Sequence, residues 1–337
     1  MKKNHFLVIM IVISFCSCKK DTNNVSNPEV DVYVAGAESN GSVMVAKYWK
    51  NGQAVALTDG TKDAYAYSIA VVGSDVYVAG AESNGSLWVI KYWKNGQSVA
   101  LMDSTISASP YSIAVVGSDV YVVGYEFNGL GEAQYLKNGE VVSLSHGTKS
   151  ASASAIAIVD NDVYVAGEEF DNPNYAVAKY WKNGQAIALT DGTTYNWVSS
   201  IAAANDNVYV AGEEYNGSVY VAKYWKNGQT IPLSDGTKSA FAECITVAGS
   251  DVYVAGSEYI NSAYAVAKYW KNGRATPLTD GTESAFAESI TVFGNDVYVA
   301  GYEGNVAKYW KNAQAIPLTF TDGTTSAYAS SIVVIKR

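Results

Sequence analysis

The stretch Asp75-Val76-Tyr77-Val78-Ala79-Gly80 decides the fold, because close copies of it recur along almost the whole chain. Seven copies occur at intervals of 43 to 45 residues. Their last residues are Gly36, Gly80, Gly124, Gly167, Gly212, Gly256 and Gly301. A repeat of this length that carries several strands and no helix is typical of a β-propeller.

Each repeat predicts four strands, which we name A to D from the central channel outward. Asn-Gly lies between apolar runs in six repeats, first at residues 51–52. This dipeptide favours a tight hairpin because both residues tolerate positive φ. The last copy has Asn312-Ala313 instead. Strand B, with the pattern Val-Tyr-Val-Ala-Gly, is apolar without alternation, as expected for a strand that is covered on both faces.

The two ends of the repeat array predict how the ring closes. The first repeat starts at strand B with Asp31, and the chain finishes with a lone strand A at Ser331-Ile332-Val333-Val334. We therefore predict an all-β, seven-bladed propeller of four-stranded blades over residues 31–337. Its C-terminal strand would complete the first blade.

One column of large residues belongs to the framework of the predicted blades. A single strand-C position holds tryptophan in six repeats and Leu136 in the third. The tryptophans are Trp49, Trp93, Trp181, Trp225, Trp270 and Trp310. A column that hardly varies among repeats indicates packing between blades and not a binding site.

The N-terminus predicts a targeting segment. Lys2 and Lys3 precede an apolar run at residues 6–15, which is too short to span a bilayer and typical of a signal peptide. Phe15-Cys16-Ser17-Cys18 resembles the lipobox of Gram-negative bacterial lipoproteins. The resemblance implies a signal peptide at 1–17, lipidation of Cys18, a tether at 18–30 and an outer-membrane location facing either the periplasm or the medium. The alternative is an ordinary secretory signal.

Composition limits the partners and the chemistry. A net charge of −9 and a pI near 4.8 argue against nucleic acid, whose phosphates attract Lys and Arg. His146 is the only histidine outside the signal, which excludes a site built from several histidines. No phosphate loop or dinucleotide fingerprint occurs. We expect a monomer.

The connections between strands differ in how much they vary among the repeats. The A–B and C–D turns are nearly constant, whereas the B–C loops and the D-to-A crossovers change. In up-and-down blades the two variable connections share one face of the disc. We predict that this face carries the binding site, because loops on a rigid scaffold carry recognition. The alternative is that the loop sequences vary only because nothing constrains them.

Aromatic residues on the variable face are the candidate ligand-binding residues. The rim column, six residues after the Asp of each Asp-Gly-Thr-like turn, is Tyr65, Ser109, Ser152, Trp197, Phe241, Phe286 and Tyr328. Such rings suit sugar rings or peptide side chains, and the alternative is that each covers a strand end. The predicted ligand-binding residues are Tyr65, Tyr67, Trp88, Tyr111, Trp197, Phe241, Phe286 and Tyr328.

A second column lies two residues further along each crossover. It consists of Tyr67, Tyr111, Ser154, Ser199, Glu243, Glu288 and Ser330. Glu243 and Glu288 are therefore equivalent residues of neighbouring blades near the channel. Paired carboxylates at a suitable separation perform acid–base chemistry or hold a metal, which makes this pair the candidate catalytic residues. The alternative is a rim of solvated acids.

A glutamate follows every repeat glycine by two residues, and we call this set the ring glutamates. They are Glu38, Glu82, Glu126, Glu169, Glu214, Glu258 and Glu303. Seven like charges repel one another unless they are solvated, hydrogen-bonded or bridged by cations. We expect each to accept backbone N–H groups, with a calcium-binding rim as the alternative and no other cofactor. Glu168 and Glu213 make one arc more acidic.

The whole repeat region resembles bacterial repeat-type β-propellers carried on lipoproteins. It is similar to WD40-like and kelch-like proteins in period and strand count, but it lacks the Gly-His and Trp-Asp dipeptides of true WD40 repeats. The near-identity of the repeats favours a binding module for a glycan or an envelope protein over an enzyme. The alternatives are an enzyme acting on polysaccharide and a structural envelope component.

Overall fold

A computed structural model describes residues 29–101, 108–126, 131–145, 149–172, 175–318 and 325–337 of the chain. These ranges form strands and turns, and they contain no helix that could cross a membrane. The predicted signal peptide, Cys18 and His146 lie outside the described residues.

The strands follow one another at the spacing of the sequence repeat. The first fourteen are β1 (Val30–Ser39), β2 (Met44–Lys50), β3 (Gln53–Ala56), β4 (Ala64–Val72), β5 (Asp75–Ser83), β6 (Trp88–Lys94), β7 (Gln97–Ala100), β8 (Ala108–Val116), β9 (Asp119–Glu126), β10 (Glu132–Lys137), β11 (Glu140–Ser143), β12 (Ala151–Val159), β13 (Asp162–Asn172) and β14 (Tyr175–Lys182). The others are β15 (Gln185–Ala188), β16 (Asn196–Ala204), β17 (Asn207–Tyr215), β18 (Tyr220–Lys226), β19 (Gln229–Pro232), β20 (Ala240–Ala248), β21 (Asp251–Tyr259), β22 (Ala265–Lys271), β23 (Arg274–Pro277), β24 (Ala285–Phe293), β25 (Asp296–Glu303), β26 (Val306–Lys311), β27 (Gln314–Pro317) and β28 (Ala327–Lys336).

These strands form seven antiparallel four-stranded sheets in a ring, which confirms the predicted seven-bladed propeller. Blade 1 has the order β28-β1-β2-β3, blade 2 runs from β4 to β7, and the later blades follow in the same way up to β24–β27 in blade 7. In every blade strand A is innermost and strand D is outermost. The C-terminal β28 is strand A of blade 1, so the last strand closes the ring as predicted.

The core lies between blades, because strand B buries both of its faces. Successive residues of a strand point to opposite faces. Tyr33 and Ala35 of β1 therefore pack against blade 2, while Val32 and Val34 pack against blade 7. The strand-C tryptophans are at most 1% exposed, and Leu136 replaces them at 3%, which confirms their role in the framework.

Side chains of the most regularly repeated sequence motifs hold the constant end of each blade together. In blade 1 the Asn51 side chain donates to Asp31 Oδ1 at 2.9 Å and accepts from the Val32 N–H at 2.8 Å. The Lys50 Nζ lies 3.1 Å from Asp31 Oδ2 and 5.1 Å from the centroid of the Tyr33 ring. The Asp-Val-Tyr motif of strand B and the Lys-Asn-Gly motif at the end of strand C thus join these two strands on the face opposite the variable loops.

Candidate functional site

A β-bulge interrupts every strand A beside the repeat glycine of strand B. In β4, Ala66 lies opposite Gly80 and Ser68 lies opposite Ala79, so Tyr67 has no partner in the ladder. A bulge re-aims the side chain of its extra residue. We call the extra residues the bulge residues. They are Tyr67, Tyr111, Ser154, Ser199, Glu243, Glu288 and Ser330.

The repeat glycines are required by these bulges. In blade 2 the carbonyl oxygen of Tyr65 lies over Gly80, and a Cβ on Gly80 would be 2.1 Å from that oxygen. At the other six glycines the equivalent carbonyl oxygen is 1.9–2.3 Å from the Cβ position. The glycine that defines the repeat therefore permits the bulge, and the bulge directs one side chain of each blade into the channel.

All seven bulge residues line one central cavity of about 410 Å³. The other lining residues are Tyr65, Trp197, Val198, Tyr302, Tyr328 and Ala329. The bulge residues follow the D-to-A crossovers and Tyr302 precedes a B–C loop, so the cavity lies on the variable face. Aromatic rings, hydroxyls and carboxyls surround it, and no Lys, Arg or His occurs among the described lining residues.

The structure brings five of the predicted ligand-binding residues to this cavity. Tyr65, Trp197 and Tyr328 of the rim column line it, and so do the bulge residues Tyr67 and Tyr111. Trp197 is 41% exposed and Tyr111 is 40% exposed, so both rings can be reached from solvent.

The other three predicted ligand-binding residues lie outside the central cavity. The Trp88 ring packs against Tyr65 with a centroid separation of 5.6 Å, and the Phe286 ring packs against Tyr302 at 5.2 Å. Both therefore contact rings that line the cavity. Phe241 belongs to a separate pocket.

This separate pocket, which we call the outer pocket, has a volume of about 420 Å³. Phe241 lies there between Tyr220 and Tyr259, at centroid separations of 5.6 Å and 6.1 Å. The residues that line it are Tyr220, Lys238, Ser239, Phe241, Tyr259, Ile260, Asn261 and Ser262. It lies between blades 5 and 6 and has no contribution from the bulge residues.

Tyr302 was not among the predicted ligand-binding residues, and it belongs to a column that the sequence makes visible. It directly follows a repeat glycine, and the column is Ala37, Ala81, Tyr125, Glu168, Glu213, Ser257 and Tyr302. This column varies as much as the bulge residues do. Comparison of its members would have pointed to Tyr302 and to the two buried glutamates of blades 4 and 5.

The two candidate catalytic carboxyls occupy adjacent bulges and line the cavity together. Burial raises the pKa of Glu243 to about 7. Burial, and then the charge of Glu243, raise the pKa of Glu288 to about 8. The pair therefore keeps protons at a pH at which an exposed glutamate is ionised.

Glu168 is fully buried between blades 4 and 5. It accepts hydrogen bonds from the Ser152 hydroxyl and from the Val198 N–H of the next blade. Burial raises its pKa to about 7. These two donors give Glu168 a structural role beside the cavity wall.

Glu213 is 6% exposed and lies between blades 5 and 6. It accepts the Ala242 N–H, and its pKa is raised to about 9 by burial, by the charge of Glu243 and by that of Glu168. Its Oε2 is buried without a hydrogen-bond partner among the described residues. The sequence suggested that Glu168 and Glu213 make the rim more acidic. Both residues directly follow a repeat glycine and face the neighbouring blade, so their carboxyls are buried.

The ring glutamates have a different partner from the expected backbone N–H groups. In six blades a strand-C lysine of the same blade binds the carboxylate, at 2.5 Å for Glu38 and 3.2 Å for Glu258. The pairs are Glu38–Lys47, Glu82–Lys91, Glu169–Lys179, Glu214–Lys223, Glu258–Lys268 and Glu303–Lys308. No three His, Cys, Asp or Glu side chains within the described ranges converge as metal ligands do. A calcium-binding rim stays a prediction.

Comparison with protein-family models and with curated proteins found no match. Among solved structures, the chain is similar to a puromycin-hydrolyzing peptidase of Mycobacterium tuberculosis, with a TM-score of 0.58 and 10% sequence identity. The match covers 88% of this chain and 51% of the peptidase, so the chain spans about half the peptidase's length. A thermostable family-43 glycoside hydrolase matches with a TM-score of 0.42 and 11% identity, over 65% of this chain and 94% of the hydrolase. The likeness to the peptidase shows the propeller fold alone.

Proposed function

We propose that the protein is a binding module that takes a glycan into the central cavity. The observation that carries this proposal is the convergence of all seven bulge residues on that cavity. The framework motifs are nearly identical in all blades, whereas the bulge residue is tyrosine, serine or glutamate. Chemical variety at one place on a uniform, rigid scaffold is what selective recognition requires.

The lining of the cavity suits a sugar ring. Tyr65 and Tyr67 stack with a centroid separation of 6.1 Å and an interplanar angle of 22°, which supports a firm aromatic wall. Aromatic faces offer apolar area to the C–H face of a sugar, and tyrosine hydroxyls offer polar contacts. The hydroxyls of Ser154, Ser199 and Ser330 add donors and acceptors for sugar hydroxyls.

The size of the cavity favours a small ligand over a protein partner. Ligand pockets commonly have volumes of about 300–1,000 Å³, and this cavity lies near the lower end of that range. A short glycan end or branch would fit, and the rest of a longer chain would extend over the variable loops. A protein that binds the same face is an alternative outcome of the test below.

A second candidate function is cleavage of a polysaccharide, by a hydrolase or a lyase reaction, with Glu243 and Glu288 as the catalytic residues. The observation that favours it is their shared position in the cavity, with pKa values raised to about 7 and about 8. A carboxyl that keeps its proton near neutral pH can act as a general acid. Glu288→Gln would then abolish turnover while binding of the same glycan persists.

We further propose that the propeller is held at the bacterial outer membrane through a lipid on Cys18. The support is the signal-like segment and the Phe15-Cys16-Ser17-Cys18 motif of the sequence. Several acyl chains on one cysteine make a stable anchor. Cys18→Ala should move the protein from the membrane fraction to the soluble fraction, and an unchanged distribution would contradict the anchor.

The glycan proposal is tested on a glycan array with two variants of matched exposure. Trp197 in the cavity is 41% exposed, and Tyr264 in a B–C loop outside it is 43% exposed. Trp197→Ala should lose the binding that the parent protein shows, and Tyr264→Ala should retain it. Absence of any glycan binding, or equal binding by all three proteins, would contradict the proposal and direct attention to a protein partner captured by the same face.

A further inference from the structure

The ionisable side chains that line the central cavity include acids but no bases among the described residues. Its lining contains the carboxyls of Glu243 and Glu288 and, within the described residues, no basic side chain. Strand-C lysines pair with the ring glutamates outside the cavity, as in the Lys268–Glu258 pair. Buried carboxyls without a counter-charge are costly to ionise. A cationic ligand would supply the counter-charge that the protein lacks.

Two buried polar atoms, one near the cavity and one on its wall, have no partner among the described residues. One is Oε2 of Glu213, which is 6% exposed and close enough to Glu243 for their charges to interact. The other is the hydroxyl of Ser199, a bulge residue that lines the cavity. Buried polar groups are nearly always hydrogen-bonded, so the unpaired Ser199 hydroxyl on the cavity wall indicates a hydrogen-bond partner that arrives with the ligand.

The blade order places aromatic rings across the channel from the acids. Glu243 and Glu288 come from blades 6 and 7, while Tyr67 and Tyr111 come from blades 2 and 3 on the other side of the ring. Cations are attracted to the faces of aromatic rings. A positively charged group in this cavity would therefore meet carboxyls on one side and tyrosines on the other.

We infer that the ligand of the central cavity is an amino sugar whose free amine is protonated and lies against Glu243 and Glu288. This inference rests on the proposed function and names the class of glycan. An ammonium group donates hydrogen bonds and carries the missing charge, and the sugar ring supplies the face that packs on tyrosine. N-acetylation removes the charge, and an acidic sugar would be repelled by the carboxyls.

The test is titration calorimetry of the full-length protein at neutral pH with three probes, because at acidic pH both carboxyls would keep their protons. The first two are a glucosamine tetrasaccharide and an N-acetylglucosamine tetrasaccharide, which share one backbone and differ in the charge of the amine. The third is spermidine, an amine without a sugar. We expect the glucosamine oligomer to bind at least about tenfold more tightly than the other two probes.

Two variants locate the charge recognition. Glu243→Gln/Glu288→Gln should bind the two oligosaccharides equally, because it keeps the size of both side chains and removes both charges. Glu258→Gln should keep the preference, because this ring glutamate pairs with Lys268 outside the cavity. The preference of the parent protein tests the inference even if the double variant fails to fold.

The outcomes separate this inference from the proposed function. Equal or tighter binding of the N-acetylated oligomer would overturn the amino-sugar inference and leave the glycan proposal standing. Binding of spermidine alone would overturn the glycan proposal, and the amino sugar with it, and would identify a simple amine as the ligand. Binding of none of the probes, together with a blank glycan array, would overturn both.

Discussion

Glu243 and Glu288 project from equivalent bulges of adjacent blades into one cavity, where the charge of Glu243 helps to raise the pKa of Glu288. Glu168 and Glu213, which are buried between blades, extend this set of carboxyls with raised pKa values over blades 4 to 7. The uniform blades position these groups, and the single variable bulge residue of each blade decides the chemistry. Framework and site therefore occupy separate columns of the same repeat.

The buried carboxyls predict that stability falls as pH rises. Their pKa values are raised from an ordinary 4.5 to about 7 for Glu168 and Glu243, about 8 for Glu288 and about 9 for Glu213. The folded state thus binds more protons than the unfolded state between these limits. This contribution is complete below the unfolded pKa and is lost as pH rises through the folded pKa values, at up to about 1.4 kcal/mol per pH unit for each group.

Thermal melts between about pH 5 and about pH 9 measure this effect. Asp31, whose pKa is lowered to about 2 mainly by the Asn51 side chain and Arg337, is ionised throughout this range and adds no slope. Glu213→Gln should flatten the decline in melting temperature, and Glu258→Gln, outside the cluster, should not. A melting temperature that is constant or rises with pH would contradict the account of the buried carboxyls.

The bulge predicts an unusual intolerance of the repeat glycines. Gly80→Ala would place a Cβ 2.1 Å from the Tyr65 carbonyl oxygen and should destabilise the protein by about 3 kcal/mol, the upper part of the range for overpacking. Gly85→Ala in the same blade is the control, because no atom lies within 4 Å of its Cβ position and only its φ of +100° is strained. Equal losses in chemical denaturation would refute a steric role for Gly80.

The last hairpin predicts a stabilising substitution. Ala313 has a φ of 66° where the equivalent Gly273 has 82°, and this region is costly for a residue with a Cβ. Ala313→Gly should stabilise the protein by about 1 kcal/mol, and Gly273→Ala should destabilise it by a similar amount. Denaturant midpoints measure both, and a loss of stability in Ala313→Gly would contradict the prediction.

The closing strand predicts that removal of residues 327–337 abolishes cooperative unfolding. β28 pairs with β1 along its length, including Val34 with Ile332, and it packs against blades 2 and 7. Deletion would expose the edge of β1 and open the ring. Arg337→Ala is the control, because it removes only the ion pairs of Arg337 with Glu29 and Asp31 and leaves β28 in place, so its unfolding should stay cooperative. Cooperative melting of the truncated protein would contradict closure by β28.

The sequence predicted the architecture well because short motifs within each repeat specify it. Gly80 and its equivalents, the Asn-Gly turns and the tryptophan column each specify a backbone geometry or a packing contact that every blade repeats. The bulge column was visible as a set of variable residues near the channel. The bulge itself was not predicted, although the buried positions of strand A change parity across Tyr67, from Ala64 and Ala66 to Ile69.

The site was harder to predict where the direction of a side chain depends on its neighbours. Trp197, Phe241 and Phe286 share one column, yet only Trp197 lines the central cavity, because the surrounding loops differ. Tyr302 and Glu213 lie on the face of strand B that meets the next blade. Which face that is follows from the register between strands A and B, and a sequence pattern that is apolar throughout does not reveal it.

The measurement that tests the central claim most directly is a crystal structure of the protein with the glycan that binds most tightly on the array. The account predicts the sugar in the central cavity, between Glu243 and Glu288 on one side and Tyr67 and Tyr111 on the other. A glycan bound only in the outer pocket beside Phe241 and Tyr259, with the central cavity free of it, would contradict that claim.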